Sequence, residues 1–221
     1  MTNQREGTRT EGPAEVVEAR EHFHTDRKGL IAHSSALYRL RKREDMARKL
    51  IELREDLFTC AAEFLACHRH HEDLQEYATL VEPLSVQLAW LSRQNDFDFY
   101  EQENLLDHAE QVCELAIRAQ KAGRMNFTKH VTCLLYLARA RICLMKESFG
   151  PARTWFKRVR SLVRSLEDPD HRAQVYRRLG ALLRESGNDL AGVLFGIKAC
   201  LIPGASMKAR ARGLAMLCGL A

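Results

Sequence analysis

Proline is scarce in this chain, with five in 221 residues. So few breakers favour long, uninterrupted helices. Long apolar runs are missing as well. No stretch approaches the roughly eighteen consecutive apolar residues of a membrane span, so no membrane partner is expected. The opening MTNQREGTRTEGPAE is polar and lacks the apolar core of a secretory signal. Catalytic signatures are absent too. There is no Gly-rich phosphate loop, no Gly-x-Ser-x-Gly elbow, no His-Glu-x-x-His helix and no Cys-x-x-Cys pair. The expectation is a protein that is not an enzyme, with no catalytic residue, cofactor or metal.

The apolar fraction, 46%, is that of an ordinary globular chain. Seven cysteines (Cys60, Cys67, Cys113, Cys133, Cys143, Cys200 and Cys218) are odd in number and scattered, mostly at core-facing helical positions. That pattern suits buried thiols in a reducing compartment, hence a cytoplasmic protein, better than a disulfide framework. The net charge of +5 hides an asymmetry. Residues 1–110 hold 14 Lys/Arg against 22 Asp/Glu, and residues 111–221 hold 20 against 7. The acidic and basic halves make a large dipole that bears on partner steering and on contacts between copies.

The stretch from Leu134 to Ala199 reads as two similar helical hairpins, Tyr136 to Val159 and Tyr176 to Ala199, forty residues apart. Tyr136 falls on Tyr176, Ala140 on Gly180, Cys143 on Leu183, Ala152 on Gly192 and Val159 on Ala199. Small residues recur where two helices must touch closely, and large ones recur three or four places on. Gly150-Pro151 suits a helix start, Gly187 a helix end, and Pro203-Gly204 the end of the second hairpin.

This spacing resembles the tetratricopeptide repeat, in the longer-period variety of kinesin light chain-like proteins. Tyr136, Ala140, Cys143, Phe149, Ala152, Phe156 and Val159 carry the likeness in the first copy. Tyr176, Leu179, Gly180, Leu183, Gly187, Gly192, Ala199 and Pro203 carry it in the second. Gly196 departs from the pattern, standing where an aromatic is usual, with Phe195 beside it to supply bulk. The resemblance implies an all-α fold, an α-solenoid of antiparallel helix hairpins wound as a right-handed superhelix of about nine to eleven helices. It covers about a third of the chain.

Taken in order, residues 1–12 read as a disordered tail and 13–221 as a single helical repeat domain. A first helix is expected at Ala14–Phe23, a degenerate hairpin from Arg27 to Leu57, and a helix running on through FTCAAEFLACHRH. A further pair would use Ala61–His70 and Glu72–Val81, with Pro83 marking the next boundary. LSVQLAWL opens a third pair. The insertion RQNDFDFYEQE interrupts it, and it resumes at Asn104 and ends by Gly123. The clearest repeats occupy 127–166 and 170–203. A last helix spans 206–219 with Ser206 as N-cap. It resembles the first helix of another hairpin, so the chain reads as a piece of a longer array or as one whose end docks on itself or on another copy.

The functional expectation is a protein–protein interaction scaffold, with a peptide or partner segment in the concave groove lined by the first helix of each pair. The resemblance puts Arg139, Lys146, Gln174, Arg177, Arg178 and Arg184 on that surface as partner-binding residues. The basic C-terminal half makes an acidic partner the natural one. A second basic surface is offered by Arg153, Lys157, Arg160 and Arg164, spaced on one helix face opposite the apolar stripe. Two other readings remain open. One is a nucleic-acid-associated module, such as the sensor half of a transcription regulator, although the first sixty residues hold no DNA-reading helix-turn-helix. The other is a self-assembling adaptor joined through its C-terminal helix into a homo-oligomer. CHRHHED (Cys67–Asp73) has too few partners to complete a zinc site and reads as a solvated helix end. NDFDFYEQE, alternating acid and aromatic, reads as a loop whose aromatics tuck under the array.

Overall fold

The computed structural model describes residues 54–69, 74–93 and 98–218. Among them the chain is all-helical, with eight α-helices and no strand. They are α1 (Arg54–Arg69), α2 (Val81–Leu91), α3 (Phe99–Lys121), α4 (Lys129–Met145), α5 (Phe149–Leu162), α6 (Pro169–Glu185), α7 (Asp189–Cys200) and α8 (Met207–Leu217). Short 3₁₀ turns cover Gln75–Thr79 and Val163–Ser165. All but the first residues of α1 belong to one compact unit, Leu57–Ala221. The expected tail over 1–12, the helix at Ala14–Phe23 and nearly all of the Arg27–Leu57 hairpin lie outside the described residues.

The helix ends follow local chemistry. Asp98 caps α3 in a reciprocal box with Glu101. Thr128, Asp168, Asn188 and Ser206 accept backbone N–H groups at the starts of α4, α6, α7 and α8. Pro151 sits in the first turn of α5 and Pro169 opens α6, where a missing N–H costs nothing. Gly187, just past α6, has φ +78°, a left-handed conformation that favours glycine. Forty residues earlier Glu147 occupies the same turn position at φ 55°. The hydrogen bonds repeat with it. Glu147 N donates to Leu144 O and Ser148 N to Cys143 O; Gly187 N donates to Arg184 O and Asn188 N to Leu183 O.

Sequence-adjacent helices pack as the pairs α2/α3, α4/α5 and α6/α7, with α8 lying on both α6 and α7. Alternate helices also touch, α2 on α4, α4 on α6 and α6 on α8. One apolar cluster runs through α4 to α7, with Leu137, Ala140, Ala152, Phe156, Val159, Leu179 and Phe195 buried in it. Its aromatic pairs also recur at forty residues. Tyr136 lies against Trp155 with ring centroids 5.2 Å apart, and Tyr176 against Phe195 at 5.7 Å. Phe195 is thus the counterpart of Trp155, and the space that a side chain at Gly196 would fill is taken by Met216 and Leu217 of α8.

The small residues mark where backbones meet. A Cβ built on Gly180 would stand 2.8 Å from Gly192 O, and one on Gly192 would stand 2.8 Å from Gly180 O. Only the absence of a side chain at both positions lets α6 and α7 approach this closely. Gly196 leaves room in the same way for Met216 and Leu217 of α8, and Gly213 for Cys200.

Pro83 stands at a helix boundary, in the first turn of α2, where proline is tolerated. Two expectations need correction. The helix expected at Glu72–Val81 is a 3₁₀ turn over Gln75–Thr79 leading into α2, with residues 70–73 outside the described part. The acidic–aromatic insertion is not a loop throughout. Residues 94–97 lie outside the described part, but from Phe99 onward the chain is already α3, because Asp98 and Glu101 close its first turn.

Candidate partner-binding surface

The side chains expected to line a groove sit on α4 and α6, and the fold engages most of them internally. Arg139 pairs with Glu110 of α3, and Lys146 bridges Asp107 and Glu110. Burial alone would raise the pKa of the Glu110 carboxyl, but the Lys146 hydrogen bond and the charges of Arg139 and Lys146 outweigh it and hold it below the ordinary value. Burial alone would lower the pKa of the Lys146 ammonium, and its two carboxylate partners raise it instead. Arg178 of α6 reaches Glu82 of α2 at 2.7 Å. Arg184 donates to Met216 O at 3.0 Å. Gln174 meets His130 at 3.0 Å, and Arg177 is half-buried on α6. A ligand entering along this row would have to break ion pairs that already tie α2, α3, α4 and α6 together.

Beside Gln174 the His130 and His171 rings stack 3.8 Å apart, 7° from parallel. Burial pushes the His130 pKa below its ordinary value, and the neighbouring His171 pushes it further. The sequence carried no signal for this pair, which lies forty-one residues apart at the N-terminal ends of α4 and α6.

The second basic surface is different. Arg153, Lys157, Arg160 and Arg164 are all exposed, on α5 and the 3₁₀ turn after it. α5 presents them outward because Ala152, Phe156 and Val159 turn the opposite face into the core. No carboxylate of the described residues pairs with any of the four; the described ion pairs all lie elsewhere. Arg160 and Lys198 both lie over the Phe195 ring, 5.5 and 5.0 Å from its centroid. Such contacts orient the cations without neutralising them. Beside α5 and the end of α7 opens a cleft of about 260 Å³, lined by the cations Arg160, Arg164 and Lys198 together with the apolar Tyr176, Phe195 and Leu201.

The sequence reading overlooked the outer face of α7. Leu190, Val193, Leu194, Ile197 and, just past the helix end, Leu201 are all exposed. They recur at i, i+3, i+4, i+7 and i+11, which is one helix face. The opposite face, with Gly192, Phe195, Gly196 and Ala199, is buried, so α7 is apolar on both sides. The spacing is in the sequence, but a helix apolar on both faces does not reveal by periodicity alone which face is buried.

Chemistry of other kinds finds less support. Burial pushes the Cys113 and Cys133 thiols up to about 12, which keeps them protonated at neutral pH. Among the described residues no group of three or more His, Cys, Asp or Glu side chains could hold a metal ion. His70 and His71 of the CHRHHED segment lie outside them. No described helix is long and apolar enough to cross a membrane. No family model, curated protein or solved structure matches the chain.

Proposed function

We propose that this chain is a non-enzymatic protein–protein interaction scaffold, a tetratricopeptide-like α-solenoid acting in the cytoplasm, and that it takes an acidic segment of a partner on its basic C-terminal half. The repeat reading is supported by correspondences forty residues apart: the turn hydrogen bonds, the aromatic pairs Tyr136/Trp155 and Tyr176/Phe195, and the cations Arg158 and Lys198 over those second rings. The packing of α2, α4, α6 and α8, each on the next alternate helix, suits a stacked array.

The observation that carries the partner reading is the contrast between the two basic surfaces. Groove-side cations are spent on Glu82, Asp107 and Glu110, whereas those of α5 stand exposed beside an apolar cleft. Exposed cations with no described carboxylate partner, next to a cleft with apolar lining, suit an acidic peptide with apolar anchors. The test is fluorescence anisotropy with labelled peptides of matched apolar content, one Glu-rich and one Lys-rich, and with a duplex DNA of random sequence. The Glu-rich peptide should bind, and Arg160→Glu with Arg164→Glu should abolish binding while Arg178→Glu leaves most of it. Preference for the duplex, with a steep fall in affinity as salt rises, would favour the nucleic-acid reading instead.

A further inference from the structure

A helix that exposes a continuous strip of leucines, isoleucine and valine is normally covered. Here Leu190 is 74% exposed and Leu201 71%. Leu201 also walls the cationic cleft, so the apolar strip and the charged rim form one continuous surface. Whatever covers it must bring apolar groups for the strip and negative charge for Arg160, Arg164 and Lys198. Two α7 faces set against each other across a two-fold axis would bring those like-charged rims together. An isologous contact is therefore disfavoured.

A complement to the cleft end of this surface, where Leu201 meets the cations, lies on the same chain. The start of α3 exposes Asp98, Glu101 and Glu103, with Tyr100 between them, 80% exposed. The Asp98–Glu101 capping box holds that turn rigid. Little ordering cost therefore remains to be met on docking. A tyrosine flanked by carboxylates matches a cleft with aromatic and leucine walls under three cations.

We propose that the α5–α7 surface receives the acidic start of α3 from a second copy, joining copies head to tail. This rests on the reading of that basic surface as a partner site and names its partner. The two faces share no residue, so the contact is heterologous and each added copy leaves one face of each kind open. Open chains form, and because charge steers the contact they shorten as salt rises.

Sedimentation velocity of the full chain over a concentration series tests this. At low salt the weight-average mass should climb with concentration, and at high salt it should fall toward the monomer. Arg160→Glu with Arg164→Glu removes the receiving face, and Tyr100→Ala with Glu103→Lys removes the inserting face while sparing the capping box. Each variant alone should associate at least tenfold more weakly. Mixed, they should form a one-to-one dimer and nothing larger, since each retains the face the other lacks. Leu201→Ser gives the same loss with no change of charge, and far-UV circular dichroism checks that each variant is helical. A wild-type chain that stays monomeric at every concentration overturns the proposal, as does a folded receiving-face variant that still assembles or a mixture that yields no dimer. If the wild type stays monomeric while the Glu-rich peptide still binds through Arg160 and Arg164, the head-to-tail contact fails and the scaffold reading survives. Loss of both sinks both.

Discussion

Replacing Gly180 by alanine puts the closest helix crossing to a direct test. A methyl there would stand 2.8 Å from Gly192 O, 3.3 Å from Gly196 N and 3.4 Å from the Met216 methyl. The two nearest atoms are backbone, so α6 and α7 must separate to admit it. Overpacking of this kind costs about 1–3 kcal/mol. Against it, alanine in a helix interior gains about 1 kcal/mol over glycine. Because the clashing atoms are backbone, the cost falls in the upper part of that overpacking range, about 2–3 kcal/mol, and the net expectation is a loss of about 1–2 kcal/mol, which lowers the melting temperature by about 2–8 °C for a domain of this size. Gly196→Ala is the informative control. Its Cβ would come closer still, 2.4 Å from the Met216 methyl and 2.6 Å from a Leu217 methyl. Those atoms end flexible side chains and can swing away, so the cost should be smaller than at Gly180 despite the tighter geometry. Urea denaturation followed by circular dichroism gives both values. Should Gly180→Ala prove as stable as the parent, or should Gly196→Ala be the more damaging, the two helices do not cross glycine on glycine.

Other expectations follow from the same geometry. Glu147→Gly should stabilise the chain by about 0.5–1 kcal/mol, since φ 55° is disfavoured for any residue with a Cβ; an unchanged urea midpoint would count against it. Glu110, held below its ordinary carboxyl value of 4.5, contributes stability that is fully present above that value and is lost as the pH falls through its folded pKa; Lys146→Met should flatten that acid limb of the denaturation midpoints. His171→Ala should move the His130 titration, read by proton NMR, upward toward 6.5 without reaching it, because burial is the larger cause of its depression and remains. At neutral pH a thiol reagent should modify exposed Cys218 in the native chain and spare Cys113 and Cys133 until denaturant is added, as peptide mass mapping would record.

The hairpins at 127–166 and 170–203 were legible because their signals are local. Pro151, Gly187, Ser206 and the small residues at 140, 152, 180 and 192 each act within a turn or a crossing, and each is found where the spacing put it. The start of α3 was equally local and was misread. Asp98 and Glu101 are a capping box in plain sequence, but the alternation of acids and aromatics suggested a loop. Ion pairs were beyond reach for another reason. Lys146 finds Asp107 and Glu110 thirty-nine and thirty-six residues back, and Arg178 finds Glu82 ninety-six back. Those distances depend on how whole helices stack, which no local pattern encodes. The same holds for the groove residues. The resemblance implied Arg139 and Lys146 as partner-binding, and the neighbouring helix α3 supplies both with carboxylates.

The link between Glu82 and Arg178 has a mechanical consequence. Helix pairs that touch only their immediate neighbours can peel away from one end, each pair letting go in turn. Here the first described pair is buttoned to the third, α2 to α6, over the top of α4. Releasing α2 then also takes a contact from α6, so loss at the first pair is felt at the third. The coupling amounts to a fraction of a kcal/mol, and hydrogen exchange should show amides of α6 losing some protection in Glu82→Gln, although the substitution is on α2.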